Sequence, residues 1–93
     1  MVIKGLAHKK GDTVAVATAD ISAGENVEIA FLDTNDKINI SCKEEIPLGH
    51  KIALKTVINA GKIIEYGEEI GIARTEIKMG QHVHVHNIKS QRW

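Results

Sequence analysis

The chain has 93 residues, with 12 basic and 12 acidic side chains and a formal net charge of zero. This length predicts one domain spanning residues 1–93 with one modest core, and the balanced charge argues against nucleic acid or an anionic membrane as the main partner. The single cysteine, Cys42, excludes an intramolecular disulfide and is expected to be a buried, inert thiol. We see no signal peptide and no run of ~20 apolar residues that could span a membrane, so we expect a cytosolic protein.

The apolar residues favour strands over helices. There are 14 isoleucines, 7 valines and 5 threonines, against only 4 leucines, and β-branched side chains fit a pleated sheet better than a helix. Turn signals built on glycine, asparagine and aspartate recur at short intervals, which is typical of an all-β domain. At most one helical turn is expected, over 54–58. In chain order, we predict strands at 13–18, 26–32, 37–41, 50–54, 62–66, 69–74 and 81–88.

Three segments of the chain share a short pattern. Residues 21–25, 46–50 and 77–81 each place a glycine three positions after an isoleucine, followed by a polar residue. Because glycine adopts positive φ without steric cost, we interpret the three segments as similar turns that lead into strands.

The sequence HVHVHN at residues 82–87 is the first candidate functional feature. On a strand, His82, His84 and His86 would share one face, and Val83 and Val85 would share the other. Same-face residues lie roughly 6.5–7 Å apart, so neighbouring imidazoles could converge on one cation or act as acid–base groups near neutral pH. The alternative is a half-buried strand whose valines face the core and whose histidines are merely solvated.

The sequence GHK at residues 49–51 is the second candidate. His50 and Lys51 stand at a predicted loop-to-strand junction, where they could bind a carboxylate-bearing substrate by a hydrogen bond and by charge. The alternative is a β-turn with polar residues facing water, and His8 beside Lys9 and Lys10 is likewise expected to be solvated. The chain contains no phosphate-binding loop, dinucleotide fingerprint, nucleophile elbow or helical zinc-protease motif.

Five segments together resemble a known family. Residues 12–18, 21–25, 46–54, 58–73 and 79–87 are similar, in this order, to the small SAF-type domain of the altronate/galactarate dehydratase family and to the small subunit of sulfolactate sulfo-lyases. The resemblance implies an all-β fold of the β-clip type. Near the N-terminus the family often has His-Pro followed by Asp-Asn-Val, whereas this chain lacks the proline and has threonine in place of asparagine.

The resemblance also implies a function. Family members eliminate water from sugar acids such as altronate and galactarate, whereas the sulfo-lyases eliminate sulfite from a related 2-hydroxy acid. Because the sequence ends six residues after Asn87, we expect the free-standing small subunit of a sugar-acid dehydratase of the altronate/galactarate type. It is expected to be inactive alone and to contribute histidines to an active site shared with a separate large subunit. The alternatives are a sulfolactate sulfo-lyase small subunit and a non-catalytic saccharide-binding or assembly module.

The resemblance further implies cofactor, partner and site residues. A divalent metal, Fe²⁺ or Mn²⁺, is expected in the complex, and self-association is expected through a surface near Ile88 and Trp93. The candidate residues are His50, Lys51, His84 and His86 for catalysis, Gly49 and Asn87 for substrate binding, and His82, His84 and His86 for the metal.

Overall fold

The computed structural model describes residues 2–90, which form strands joined by turns. These residues contain no helix, and therefore no helix that could cross a membrane. The all-β prediction is confirmed. The strands are β1 (Ile3–Ala7), β2 (Val14–Ala17), β3 (Asn26–Phe31), β4 (Lys37–Ser41), β5 (Lys51–Ala53), β6 (Lys62–Glu65), β7 (Glu68–Ala73), β8 (His82–Val83) and β9 (Ile88–Ser90).

The strands form two sheets, and the buried apolar side chains form two clusters, the second of which includes residues from both sheets. The larger sheet has the order β4-β3-β1-β2-β5-β8, and the smaller has the order β6-β7-β9. Only β1 and β3 pair in parallel, while the other neighbours are antiparallel. Ile29, Ile46 and Ile52 lie in the first cluster, and Ile63 and Ile77 lie in the second. Cys42 is fully buried in the first cluster, where burial raises the pKa of its thiol and the charge of Glu25 raises it further.

Strand β1 is central in the larger sheet and was not predicted from the sequence. Its segment interrupts the apolar pattern with Gly5, which weakens a strand in isolation. In the structure this glycine allows close packing, because an added Cβ would overlap Cδ1 of Ile29 and lie 3.1 Å from Cδ1 of Ile52. The residue that obscured the strand is therefore the one that lets core side chains from β3 and β5 pack across it.

The repeated turn is confirmed. Gly24, Gly49 and Gly80 have φ values of 84°, 86° and 89°, a region in which L side chains are strained. A fourth turn of the same kind follows Val57, but there the corresponding position is Ala60, with φ of 68°. In this turn the glycine, Gly61, follows the positive-φ position instead of occupying it.

The four turns associate in pairs. Ile21 and Ile46 form an isolated antiparallel bridge, and Val57 and Ile77 form another. In each bridge both residues exchange backbone hydrogen bonds, with N···O distances of 2.7 to 3.0 Å. The two bridges therefore fix the corners of the fold, including the corner that leads to residue 50.

The prediction of one strand over 81–88 is wrong. Strand β8 ends at Val83, residues 84–87 form a turn, and the chain then enters the other sheet as β9. Val83 is buried as expected, but the side chain of Val85 is 52% exposed. Ile88 is half-buried and packs against the second core cluster, and Trp93 lies outside the described residues, so self-association near these residues remains a prediction.

Candidate active site

The turn that ends at Gly49 places His50 directly before β5. The N–H of Leu48 donates a 2.9 Å hydrogen bond to Oδ1 of Asp20, and the N–H of Gly49 donates to the carbonyl of Ala17 at 2.8 Å. The carbonyl of His50 accepts from the N–H of Ala17, also at 2.8 Å. These contacts leave the His50 backbone fixed on both sides while its half-buried ring remains accessible.

The register between β5 and β8 brings the distant histidines to His50. Ile52 pairs with His82 and Lys51 pairs with Val83, and continuing that register sets His50 opposite His84. The rings of His50 and His84 are stacked, with centroids 4.1 Å apart and planes inclined by 21°. Two segments more than 30 residues apart in sequence therefore form one cluster.

His50 and His82 are joined directly. Nδ1 of His50 and Nε2 of His82 share a hydrogen bond of 2.8 Å. Together with His84 they offer three ligand nitrogens that all lie within 4.8 Å of one another. We call these three residues the imidazole cluster. Such a set of neutral nitrogen donors fits a divalent first-row transition metal, because imidazole suits zinc, iron, copper and nickel.

His86 lies beside the imidazole cluster but is not one of its three members. Its ring is tilted against that of His82, with centroids 5.1 Å apart, and the residue is exposed in the turn. The face shared by three alternating histidines does not form, because the strand ends after Val83. The turn instead holds His84 over His50.

Asn87 holds this turn together from a buried position. Its Oδ1 accepts a 3.0 Å hydrogen bond from the N–H of His84, and its Nδ2 donates to the carbonyl of His82 at 2.7 Å. Oε1 of Glu44 accepts from the N–H of His82 at 2.7 Å. The backbone of the imidazole cluster is thus fastened by two side chains. Asn87 was a candidate for substrate binding, whereas Glu44 was missed because only the folded register brings it to residue 82.

The surroundings of His82 and His84 favour neutral rings. Burial lowers the pKa of His82, and the neighbouring imidazoles lower it further, against an opposing effect of Glu44. Burial also lowers the pKa of His84, with smaller contributions from His50 and from the charge of Lys51. Neutral imidazole is the form that accepts a proton or binds a metal.

The other predicted site residues divide into two groups. Lys51 is half-buried at the start of β5, with its charge near His84, so it stays beside the imidazole cluster. The N–H of Gly49 and both polar atoms of the Asn87 side chain already have backbone partners. Substrate binding by Gly49 and Asn87 remains a prediction, and the structure gives both residues a role in positioning the histidines.

His8 lies at a different place in the fold. Its ring stacks on that of Tyr66, with centroids 3.4 Å apart, and Tyr66 itself has φ of 58° in the turn between β6 and β7. The buried carboxylate of Asp12 accepts hydrogen bonds from the N–H groups of Lys9, Tyr66 and Gly67 and so fixes this turn. His8 is therefore not simply solvated, in contrast to the expectation from the sequence.

The three residues of the imidazole cluster are half-buried, so part of each remains accessible to solvent. A concavity of about 390 Å³ is lined by Ser41, Thr56 and Met79 among others, and by none of the histidines. The cluster is flanked in sequence by apolar side chains that face water, Leu48 at 61% exposure and Val85 at 52%. A reaction that must exclude water would need another surface to cover these imidazoles.

Comparison with known proteins gives a consistent set of relatives. A family model described as the altronate/galactarate dehydratase SAF domain matches residues 3–91. The chain is 33% identical to (2R)-sulfolactate sulfo-lyase subunit alpha of Chromohalobacter salexigens, over 100% of both chains. It is 41% identical to the protein of the same name in Paracoccus pantotrophus, over 63% of this chain and 88% of that one. It is also 39% identical to altronate dehydratase of Bacillus subtilis, over 89% of this chain but only 15% of that much longer protein.

Proposed function

The chain belongs to the altronate/galactarate dehydratase SAF domain family, and from this premise we propose that it is the small subunit of a two-subunit lyase acting on a 2-hydroxy acid. In this proposal the imidazole cluster and Lys51 form one wall of the active site. A separate large subunit forms the other wall.

The observation that carries the proposal is an open imidazole cluster on a chain that matches a named lyase subunit from end to end. The backbone N–H groups of His82 and His84 are fixed by side-chain acceptors, but no enclosure is visible around the histidines in the part of the chain that the structure describes. A second protein surface would supply that enclosure, and the exposed Leu48 and Val85 beside the histidines are suited to packing against it.

The chemistry required of the histidines is proton transfer. A base removes the proton from carbon 2, next to the carboxylate, and the bond from carbon 3 to its leaving group breaks. The leaving group departs with the electron pair as sulfite, or as water after it receives a proton, and the resulting enol becomes a 2-oxo acid. A neutral imidazole can accept the first proton, and an imidazolium can donate the second. Lys51 would attract the substrate carboxylate.

A metal is part of the proposal for the assembled enzyme. When bound, a divalent ion would stabilise the negative charge that develops on the substrate carboxylate. His50, His82 and His84 are the residues of this chain that could hold it. A nitrogen that binds the ion cannot also accept a proton, so each ring would serve either as a ligand or as an acid–base group. Of the two ions expected from the resemblance, a site of nitrogen donors suits Fe²⁺ better than Mn²⁺.

Two substrate classes are supported by different observations. Sulfolactate is the first candidate, because the match to the Chromohalobacter subunit alpha spans all of both chains. A sugar acid of the altronate type is the second, because the identity to the Bacillus altronate dehydratase reaches 39% over 83 residues. In either case the partner is the protein that carries the larger catalytic portion.

The test is reconstitution. The chain is co-expressed with a candidate large subunit, and the purified complex is assayed for sulfite release from sulfolactate and for 2-oxo acid formation from altronate and galactarate. We expect activity from the complex and none from either chain alone. His50→Ala and His84→Ala should lower the rate by roughly 100- to 10,000-fold, the usual cost of losing an acid–base group.

His8→Ala is the matched control, since this histidine stacks on Tyr66 rather than on the imidazole cluster. It should leave the rate within a few-fold of the unchanged complex. Failure of the two chains to associate, or full activity in the His50 and His84 variants, would contradict the proposal.

A further inference from the structure

We infer that this chain carries a metal site of its own, with His50, His82 and His84 as the ligands. This set differs from the alternating histidines 82, 84 and 86 that the sequence alone suggests. The inference concerns binding of the ion by this chain and stands whether or not the lyase proposal holds.

The first observation is the distance between the ligand nitrogens of the three histidines. Metal–nitrogen bonds of about 2.0–2.1 Å place two nitrogens on a shared ion roughly 3–4 Å apart. Nδ1 of His50 and Nε2 of His82 are 2.8 Å apart, and all three ligand atoms lie within 4.8 Å of one another. Separations of up to 4.8 Å exceed this range, so the rings would rotate to bring all three nitrogens to one ion. The proton between His50 and His82 would move to the far nitrogen of its ring and leave both lone pairs free.

The second observation is that hydrogen bonds fix the backbone of the three histidines. A metal site needs its ligands held in place before the ion binds. His50 follows a turn fixed by the hydrogen bonds of Leu48 and Gly49. His82 and His84 are fixed through their N–H groups by the side chains of Glu44 and Asn87. The ligands therefore come from two paired segments whose relative position is set by the sheet, as in sites that retain affinity for the ion.

The donor set indicates the class of ion. Three imidazoles and no carboxylate favour Zn²⁺, Fe²⁺, Co²⁺ or Ni²⁺ over Mg²⁺ and Ca²⁺, which prefer oxygen ligands. Three protein ligands also leave at least one position open, which is the arrangement of catalytic rather than structural sites. The cluster lies at the surface, so that position faces the space where a partner or substrate would lie.

His86 supplies the internal control. It lies in the same turn as His84 and contacts His82, with ring centroids 5.1 Å apart, but its nitrogens are not part of the group of three. A sequence-based ligand set requires His86, whereas the set inferred from the structure requires His50. The two possibilities predict opposite results for the two variants.

The test uses the purified full chain, stripped with EDTA and titrated with Co²⁺ at pH 7.5. Binding is followed by visible absorption and by calorimetry. We expect one Co²⁺ per chain. His50→Ala and His82→Ala should each weaken binding more than about 100-fold, since even outer-shell partners usually contribute 10- to 100-fold. His86→Ala should weaken it less than about 3-fold.

Two results would overturn the inference. One is the absence of Co²⁺ binding to the unchanged chain up to millimolar concentration. The other is a loss in His86→Ala as large as that in His82→Ala, with His50→Ala unaffected. Far-UV circular dichroism of each variant checks that it is folded, and His50→Gln provides a milder change at the same position. Because this readout needs neither a large subunit nor turnover, its failure is distinguishable from failure of the lyase proposal.

Discussion

Replacing Asn87 with alanine should destabilise the protein and disorganise the imidazole cluster together. The amide side chain makes two hydrogen bonds, from the N–H of His84 at 3.0 Å and to the carbonyl of His82 at 2.7 Å. Each such bond contributes about 1 kcal/mol net, and a buried backbone group left without a partner costs about 1–3 kcal/mol. Because Asn87 is buried, water would only partly replace these bonds. We therefore expect the free energy of unfolding to fall by about 2–3 kcal/mol.

This loss is large enough to measure. A chain of this length should have a total stability of about 5–14 kcal/mol, and urea slopes of small proteins are about 1–3 kcal/mol/M. The urea midpoint, followed by far-UV circular dichroism, should therefore fall by about 1–2 M. The Co²⁺ affinity should fall by about 10- to 100-fold, because Asn87 positions the ligands without binding the ion.

Two further variants separate the effects. Asn39→Ala replaces an exposed asparagine of β4 and should change stability by no more than about 0.5 kcal/mol. Asn87→Asp keeps the acceptor for the N–H of His84 but sets a carboxylate oxygen against the carbonyl of His82, so it should be at least as destabilising as alanine. If Asn87→Ala proves as stable as Asn39→Ala and binds Co²⁺ normally, the argument that this amide fixes the turn is refuted.

Three other outcomes follow from the packing, the turns and the histidines. Gly5→Ala should lower the free energy of unfolding by about 1–3 kcal/mol, because the added Cβ overpacks the core. Ile29→Val removes the overlapping Cδ1, so the double variant should lose less stability than the sum of the two single variants in a double-mutant cycle measured by urea denaturation. Ala60→Gly should raise the unfolding free energy by about 0.5–1 kcal/mol, because it relieves an L residue at φ of 68°, and an unchanged or lower urea midpoint would contradict this. Because folding lowers the pKa values of His82 and His84, the unfolded chain binds more protons than the folded chain at mildly acidic pH. In EDTA, the free energy of unfolding should therefore keep its full value above pH ~6.5 and fall as the pH drops below it. His82→Gln should reduce that loss, as measured by urea midpoints at pH 8 and pH 5.

The parts of the fold that depend on local pattern could be predicted from the sequence. The strand over Asn26–Phe31 alternates buried and outward-facing residues over its whole length, and Lys37–Ser41 matches its predicted bounds. Gly24, Gly49 and Gly80 have positive φ, as their shared turn pattern predicted. These features are set by neighbours a few residues apart, so the sequence carries them directly.

The parts that depend on tertiary contacts could not be predicted in this way. Strand β1 contains Gly5, whose favourable role exists only when Ile29 and Ile52 pack against it. The alternation of residues 82–86 indicates a strand. In the structure the N–H of His84 instead donates to the side-chain amide oxygen of Asn87, and this local hydrogen bond replaces strand pairing at His84. The residue types of the site were therefore found from the sequence, while the pairing of His50 with His82 and His84 required the register of β5 and β8.

The position of β8 at the edge of the larger sheet has a consequence for native-state dynamics. This strand has two residues and pairs only with β5, whereas β1 lies between two neighbours at the centre of the sheet. Amide hydrogens of β8 should therefore exchange through local opening, well before global unfolding exposes those of β1. Each such opening separates His82 from His50, so an ion or a partner that binds the closed form should slow exchange at Val83 and His84 first. Exchange rates at this edge would then report occupancy of the histidines in the intact protein.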